Sequence, residues 1–236
     1  QNLPSRGDNA KVLKSCITAP EGYTLVESDS AQIEARVLAW LAGQTDLVQA
    51  FERGEDVYKK MASSIYGKKE GLVSADERFI GKTNALISMY QGENAPLGRG
   101  KVLRLQHGEN AIRLPSGLLM RYDDLEAEEG DKGLQFSYKT RRGRVNIYGG
   151  KVIENVCQGI ARCVMAEQML RISKRYRVLL TVHDSVICCV KDSEVDEAAS
   201  YVAECMQYVP QWAEGLPVRG DVEVGKDYGN CKAWIP

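Results

Sequence analysis

The alternation of apolar and polar residues predicts a β-strand followed by a helix near the beginning of the chain. Residues Tyr23–Glu27 are β-prone and alternate, so they predict a strand that ends close to Asp29. Beyond this point apolar residues recur at helical spacing from Ile33 to Leu41, and Gly43 provides a stop signal. An aspartate is therefore expected where a strand gives way to an amphipathic helix.

The second half of the chain carries the strongest helical periodicity and then a second strand signal. Lys151–Arg175 predicts a long helix because an apolar stripe runs along it. Val178–Val190 predicts two strands joined by a tight turn at His183-Asp184-Ser185. Ser193 is predicted to cap a following helix that ends near Val209.

The remaining segments give shorter or weaker signals. Asp46–Phe51 and Asp56–Tyr66 predict short helices, and Ser74–Tyr90 predicts a helix with acidic residues in its first turn. Gly92–Gly150 is dominated by Gly, Pro and charged residues, and the tail from Val218 is strand-like. The short strand candidates in the weak segment are Ala111–Leu114, Leu118–Tyr122 and Gln135–Lys139.

The composition is that of an ordinary globular protein and restricts its function only weakly. The 236 residues are 44% hydrophobic and 27% charged, with a net charge of −1. Basic residues nevertheless cluster in Lys139–Arg144 and Lys174–Arg177, and a local basic strip is what a phosphate backbone requires. From the sequence alone, a solvated charged face explains each cluster equally well.

The cysteine pattern and the lack of a targeting or membrane-spanning signal indicate the compartment in which the chain is expected. Seven cysteines, without a C-x-x-C pair or zinc-finger spacing, indicate free thiols in a reducing compartment. The sequence contains no signal peptide and no apolar run of membrane-spanning length, so no membrane partner is expected. The chain starts at Gln1 without an initiator methionine and is expected to be a fragment.

Two strand-end aspartates, Asp29 and Asp184, are the main candidates for chemistry. Carboxylates at strand ends pack poorly but suit hard cations such as Mg²⁺. Brought together, they could hold two metal ions about 3.5–4 Å apart for in-line phosphoryl transfer. The alternative for either residue alone is an ordinary turn aspartate.

One face of the predicted helix Ser74–Tyr90 is a candidate triphosphate site. Arg78, Lys82, Leu86 and Tyr90 are spaced by four residues and therefore face the same way. Two cations one turn apart could bind successive phosphates, with an apolar side chain and a ring next in line for a base. On spacing alone, an amphipathic helix with ordinary surface cations is the preferred explanation of the pattern.

Taken in order, these strings resemble the motifs of family A DNA polymerases, the class of bacterial DNA polymerase I and many phage replicases. The string Gln1-Asn2-Leu3-Pro4 is similar to the family's Q-N-I/L-P segment. Asp29–Arg36 is similar to motif A, D-Y-S-Q-I-E-x-R, and Arg78–Tyr90 resembles motif B, R-x-x-x-K-x-x-x-[FY]-x-x-x-Y. Thr181–Ser185 is similar to motif C, V-H-D-E. The resemblance spans essentially the whole chain.

The resemblance implies a template-directed DNA polymerase that acts in DNA replication and uses two Mg²⁺ ions. Asp29 and Asp184 would be the catalytic metal ligands, with help from the backbone carbonyl of Ser30. The partners would be primer–template DNA and deoxynucleoside triphosphates, in the cytoplasm of a bacterial or phage-infected cell.

The resemblance also assigns the remaining site residues. Glu34 would lie under the sugar and exclude a ribose 2′-hydroxyl, and Tyr90 would close the pocket over the nascent base pair. The implied nucleotide-binding residues are Gln32, Glu34, Tyr58, Arg78, Lys82, Leu86 and Tyr90, and the implied primer–template residues are Arg36, Gln158 and His183.

The implied fold is α+β, with a right-hand polymerase palm built on a small antiparallel sheet and an inserted helical fingers subdomain. The implied boundaries are palm with motif A at 1–45, fingers with motif B at 46–92, and the C-terminal part of the palm with motif C at 93–236.

Several positions depart from the family pattern. Leu86 replaces the usual Phe or Tyr, Ser185 replaces the motif C Glu, and Tyr58 replaces a phosphate-contacting His. Gln91 replaces a Gly, and the segment 92–112 is much shorter than in the family.

Three alternatives remain at this level. A single-subunit, phage-type RNA polymerase also has H-D-S in motif C and no aromatic residue in motif B, but Glu34 and the Q-I-E-x-R continuation favour DNA. A catalytically inactive nucleic-acid-binding remnant of a polymerase would be expected to lose an aspartate. A metal-dependent nuclease would not need the helix that carries Arg78 and Lys82.

Overall fold

The computed structural model of the protein describes residues 8–55, 96–97, 103–106, 109–130 and 133–235. The predicted helices at 56–66 and 74–90 lie outside the described residues. The described helices, in chain order, are α1 (Asp8–Ser15), α2 (Ile33–Ala42), α3 (Thr45–Glu52), α4 (Gly149–Ile172) and α5 (Val195–Met206). The strands are β1 (Tyr23–Ser30), β2 (Pro96–Leu97), β3 (Leu103–Gln106), β4 (Ala111–Arg113), β5 (Leu119–Arg121), β6 (Glu126–Gly130), β7 (Gly133–Thr140), β8 (Gly143–Ile147), β9 (Val178–Val182), β10 (Ser185–Lys191), β11 (Gly220–Gly225) and β12 (Lys232–Ala233).

The chain divides into two compact units. The first contains the described residues of Gln1–Ile33, Val164–Pro210 and Val218–Pro236, and the second those of Glu34–Cys163 and Gln211–Pro217. Helices and small antiparallel sheets occur together, so the predicted α+β class is confirmed. No helix in the described ranges is both long and apolar enough to span a bilayer.

The first unit is built on a five-stranded antiparallel sheet. The strand order is β12-β11-β1-β10-β9, so β1 lies at the centre. Because side chains alternate along a strand, Val26, Val186 and Val222 share one face, where they form a buried cluster with residues of α4 and α5. The opposite face carries a smaller apolar cluster that contains Leu25 and Ile187. Beyond that cluster, the same face carries polar and acidic residues.

A glycine allows β11 to lie close to helix α5. A Cβ added to Gly220 would lie 2.7 Å from the Cβ of Met206 and 3.0 Å from the Oγ of Ser28. Side chains do not approach this closely, so any larger residue would displace the strand or the helix. Gly220 therefore fixes the position of β11 beside the end of β1.

The second unit contains two further antiparallel sheets. One has the strand order β2-β3-β4-β5 and the other the order β6-β7-β8. Helix α2 is held by Trp40, whose Nε1 donates to the carbonyl of Glu214 at 3.0 Å.

The sequence predictions for the strands around Asp29 and Asp184 are confirmed, with some changes at the ends of elements. Strand β1 continues beyond Glu27 to Ser30, and the turn between β9 and β10 consists of His183 and Asp184. The predicted cap at Ser193 is wrong. A short 3₁₀ turn at Asp192–Glu194 precedes α5, and the residue before that helix makes no side-chain capping bond.

Candidate functional site

The two aspartates singled out in the sequence line one cleft of about 410 Å³ in the first unit. Asp29 is the penultimate residue of β1, and Asp184 lies in the turn that joins β9 to β10. Because β1 pairs with β10 so that Asp29 lies opposite Ser185, the turn comes next to the end of β1. The backbone N–H of Ser30 donates to the carbonyl of Asp184 at 3.2 Å, which ties the two segments together.

Ser185 orients the Asp29 carboxylate directly. Its Oγ donates a hydrogen bond to the Oδ1 of Asp29 at 2.7 Å. Ser185 is buried, with 6% of its surface exposed, whereas Asp29 is exposed to the cleft. A buried hydroxyl therefore fixes one oxygen of an exposed carboxylate. In the sequence this serine stood out only as a departure from motif C.

The cleft is unusually acidic because like charges lie opposite each other on neighbouring strands. Glu27 pairs with Glu223 across β1 and β11, and Asp29 pairs with Asp221. All four side chains line the cleft, together with Asp184. Like charges placed directly opposite in a sheet destabilise it. The arrangement favours a cation in the cleft.

The environment of Glu27 shows the electrostatic strain in this cleft. Mainly through burial, and also through the charges of Glu223 and Asp29, the pKa of Glu27 is raised from 4.5 to about 7, although hydrogen bonding with Ser185 and the nearby ammonium of Lys14 act to lower it. Burial also raises the pKa of the neighbouring Tyr228, as does its contact with Glu27. At neutral pH, the Glu27 carboxyl is therefore close to its pKa and carries only part of its negative charge.

Lys14 brings a positive charge to the same cleft. It lies on α1, and its ammonium is 4.8 Å from the centre of the Tyr228 ring. Gly229 permits the helix to lie there, because a Cβ at this position would be 2.7 Å from the carbonyl oxygen of Lys11. The amine offsets part of the acidic charge of the cleft, since it acts to lower the pKa of Glu27.

His183 and Gln32 share an uncommon backbone conformation next to the aspartates. Each has a φ of 53°, in the left-handed region that residues other than glycine adopt infrequently. Both side chains are exposed, and His183 lines the cleft. Backbone strain of this kind costs about 1–3 kcal/mol and concentrates at functional sites.

The other predicted site residues within the described ranges belong to the second unit. Glu34, on α2, lies near Cys157 of α4, where burial and the Glu34 charge raise the cysteine pKa to about 12. Gln158, the next residue along α4, is exposed. The structure thus brings Glu34 close to the part of α4 that carries Gln158.

Arg36 has a different environment from the one expected for a DNA contact. It is buried, its guanidinium lies 4.7 Å from the centre of the Phe51 ring, and its Nη1 donates to the carbonyl of Pro217 at 3.1 Å. A direct contact with primer–template would require this side chain to leave its protein partners. Five further predicted residues lie outside the described ranges, namely Tyr58, Arg78, Lys82, Leu86 and Tyr90.

Sequence reasoning missed the acidic residues of β11 and the lysine of α1. The string Asp221-Val222-Glu223-Val224 alternates, so it predicts a strand with both acids on one face. Only the pairing with β1 shows that this face is the one that carries Asp29. No comparable signal marks Lys14.

The donors of the cleft suit a hard divalent cation. Asp29 and Asp184 supply carboxylate oxygens, which Mg²⁺ prefers. Among the residues that the structure describes, no three His, Cys, Asp or Glu side chains form a ready-made metal cluster. Mg²⁺ sites that process phosphates commonly use one or two carboxylates and complete their coordination with water and substrate oxygens.

Comparison with known proteins places these motifs in a family. The model of DNA polymerase family A matches residues 1–112, a range that contains the motif A string and the motif B string. The chain is 26% identical to DNA polymerase I of Lactococcus lactis over 256 residues, and this similarity covers 98% of the chain. The chain is similar to DNA polymerase family A over its first 112 residues and to DNA polymerases over nearly its whole length. It is also 26% identical to a DNA polymerase of Bacillus phage SP02, over 90% of its length.

A solved structure supports the same fold. The POL domain of Pol1 from M. smegmatis, in complex with DNA primer-template and dNTP, matches 97% of this chain with a TM-score of 0.60 and 19% sequence identity. The chain spans 29% of the length of the Lactococcus lactis relative and 44% of the M. smegmatis chain.

Proposed function

We propose that this chain carries the catalytic centre of a family A DNA-directed DNA polymerase, which adds deoxynucleoside triphosphates to a primer 3′-hydroxyl during DNA replication. The observation that carries the proposal is the placement of Asp29 and Asp184 in one acidic cleft, with the first fixed by Ser185 and the second joined to the end of β1. The family relatives that match nearly the whole chain are DNA polymerases.

In the proposed mechanism, Asp29, Asp184 and the carbonyl of Ser30 would hold two Mg²⁺ ions. When bound, the ions would lower the pKa of the primer hydroxyl and neutralise the charge on the triphosphate. The residues of the chain keep the carboxylates in place: Ser185 holds Asp29 through a 2.7 Å bond, and the backbone of Ser30 holds the turn of Asp184. Lys14 limits the repulsion within the cleft before substrate arrives.

The remaining assignments are proposals that follow the family motifs. Arg78 and Lys82 would bind the triphosphate, Tyr90 would close over the base pair, and Glu34 would exclude the ribose 2′-hydroxyl. Gln158 and His183 would contact primer–template. The first 45 residues and residues 93–236 would form the palm, with fingers between them.

Replacement of either aspartate by alanine tests the proposal. Asp29→Ala and Asp184→Ala should each remove nearly all primer extension, because each removes an oxygen ligand, while primer–template affinity should remain close to that of the parent chain. Glu21→Ala removes an exposed carboxylate from the turn before β1 and serves as the matched control. Equal loss of DNA binding and extension would point to a folding role, and unchanged extension would reject the metal assignment.

A further inference from the structure

The three-stranded sheet β6-β7-β8 ends in a strongly basic hairpin tip, formed by Lys139–Arg144. Thr140 pairs with Gly143, so Arg141 and Arg142 are the two residues of the turn itself. The side chains of Lys139, Arg141 and Arg142 are exposed. This is one of the two basic clusters that the sequence could not distinguish from an ordinary solvated face.

The tip has a defined backbone that does not depend on its arginines. Thr140 Oγ1 donates to the carbonyl of Gly143 at 2.6 Å and accepts a bond from the backbone N–H of Arg142 at 3.2 Å. Gly143 has a φ of 120°, a conformation that glycine adopts most easily. Hairpin turns are usually built from Gly, Asn and Asp, so two adjacent arginines contribute nothing to the turn.

Within the described residues, Arg144 is the member of this cluster that forms ion pairs inside the protein. Arg144 Nη2 pairs with Asp124 at 2.7 Å and with Glu126 at 2.6 Å, which anchors the hairpin to the acidic side of its own sheet. No described residue forms an ion pair with Arg141 or Arg142. Their guanidinium groups are therefore available for an external anion.

The second basic cluster, Lys174–Arg177, also has one arginine that is used inside the protein. Arg175 forms an ion pair with Glu197, and its guanidinium lies 4.7 Å from the centre of the Tyr201 ring. Its neighbour Lys174 lines a small groove that also contains Glu204. Within the described residues, Arg175 therefore has an internal ion pair, whereas Arg141 and Arg142 at the turn of the hairpin have none.

We propose that the β7–β8 hairpin tip binds the phosphate backbone of duplex DNA through Arg141 and Arg142, with Lys139 beside them. Arginine presents planar donors that match phosphate oxygens, and a two-stranded ribbon has a width that a DNA groove accepts. Single-strand binding surfaces add aromatic platforms, and Lys139–Arg144 contains no aromatic residue. The duplex is therefore the favoured partner. This proposal rests on the proposed function only in taking DNA to be the anion that the tip binds.

The salt dependence of DNA binding measures this contact directly. Each phosphate contact with duplex DNA contributes about 0.9 to the slope of log affinity against log salt concentration. Arg141→Ala/Arg142→Ala should therefore reduce the slope by about 1.8 and raise the dissociation constant at 0.1 M salt by about tenfold or more. Fluorescence anisotropy of a labelled primer–template, titrated with the full chain in chelator and without nucleotide, gives both values.

Two variants separate a specific contact from loss of charge or of fold. Lys174→Ala/Arg177→Ala removes the same charge from the other basic cluster and should change the slope by less than about 0.5. Arg141→Lys/Arg142→Lys keeps the charge and should restore most of the slope. Circular dichroism should give equal melting temperatures for the parent chain and all three variants.

Several outcomes would overturn the proposal. One is an unchanged salt slope in the alanine variant of the tip, and another is an equal decrease in slope in both alanine variants. The others are a decrease in affinity that is confined to single-stranded DNA, or one that is confined to heparin or anionic vesicles. The binding assay needs neither metal nor extension. A chain that fails to extend primers but shows the slope change would therefore refute the proposed function alone.

Discussion

Removal of the Ser185 hydroxyl should weaken divalent-cation binding at Asp29 without unfolding the cleft. The Oγ donates to Asp29 Oδ1 at 2.7 Å and is buried, while the carboxylate that it holds is exposed. Hydrogen bonds to charged groups contribute about 1.5–3 kcal/mol, and the exposure of Asp29 indicates the lower end of this range. Loss of a group that orients a metal ligand typically costs about 10–100-fold in metal affinity, so we expect about tenfold for Ser185→Ala.

The assay follows Mn²⁺ by electron paramagnetic resonance, with the chain free of DNA and nucleotide. Ser185→Ala should raise the Mn²⁺ dissociation constant by about tenfold, and Ser185→Thr, which keeps the hydroxyl, should restore most of the affinity. In primer extension the Mg²⁺ concentration for half-maximal rate should rise in parallel. The KM for the nucleotide at saturating Mg²⁺ should change little, because Ser185 has no proposed contact with it.

Two results would refute this reasoning. One is a folded Ser185→Ala chain whose Mn²⁺ affinity stays within about twofold of the parent value. The other is a Ser185→Thr chain that binds Mn²⁺ as poorly as the alanine variant, which would assign the effect to packing around a buried residue.

Three further predictions follow from the described cleft and from the motifs. Because burial raises the Glu27 pKa from 4.5 to about 7, the folded state keeps a proton that the unfolded state has lost, and stability should fall as the pH rises through this window. In urea unfolding with chelator, Glu27→Gln should therefore stabilise the chain by about 1–2 kcal/mol at pH 8, a value that allows for solvent screening in the open cleft. At pH 4 the stabilisation should be small. A stability difference between variant and parent that does not vary with pH would contradict this prediction. Gly220→Ala should lower the free energy of unfolding by about 1–3 kcal/mol, because the added methyl group overpacks the contact with α5. The control Gly150→Ala, at the exposed start of α4, should be neutral or slightly stabilising. Equal changes in the free energy of unfolding for both variants would reject the packing argument. Leu86→Tyr should relax discrimination against dideoxynucleotides in competitive incorporation while Glu34 still excludes ribonucleotides; an unchanged ratio would mean that Leu86 does not line the sugar pocket.

Local patterns were sufficient to predict the segments that carry the two aspartates. The alternation in Tyr23–Glu27 and in Val178–Val190 defines strands, and the polar residues His183 and Asp184 interrupt the second run where its turn forms. These signals arise from residues close together in the chain. The proximity of Asp29 to Asp184, in contrast, came from the family resemblance, since nothing in either segment determines which strand pairs with which.

Strands β6 and β8 of the second unit could not be predicted from the sequence because of their charged composition. β6 begins with Glu126 and is mostly acidic, and β8 overlaps the basic cluster, so neither has the alternating apolar pattern that predicts a strand. Both are edge strands on β7, and Arg144 links them to each other and to Asp124 through ion pairs. The charges that made the segment resemble a solvated loop are the ones that connect its strands.

The acidic residues opposite β1 illustrate why the electrostatics of the site could not be predicted from the sequence. Glu27 and Asp29 come early in the chain, Asp221 and Glu223 come near its end, and only the register of β1 with β11 places them side by side. A shift of one residue would turn the acids of β11 into the apolar core. The side of that strand with the buried Val222 and the partly buried Val224 therefore determines the register. The hydrophobic core therefore imposes the like-charge pairing, at a cost in stability that Lys14 reduces only in part. A cation between Asp29 and Asp184 would offset the rest of that cost, because such a cation binds the folded state and has no equivalent site in the unfolded chain.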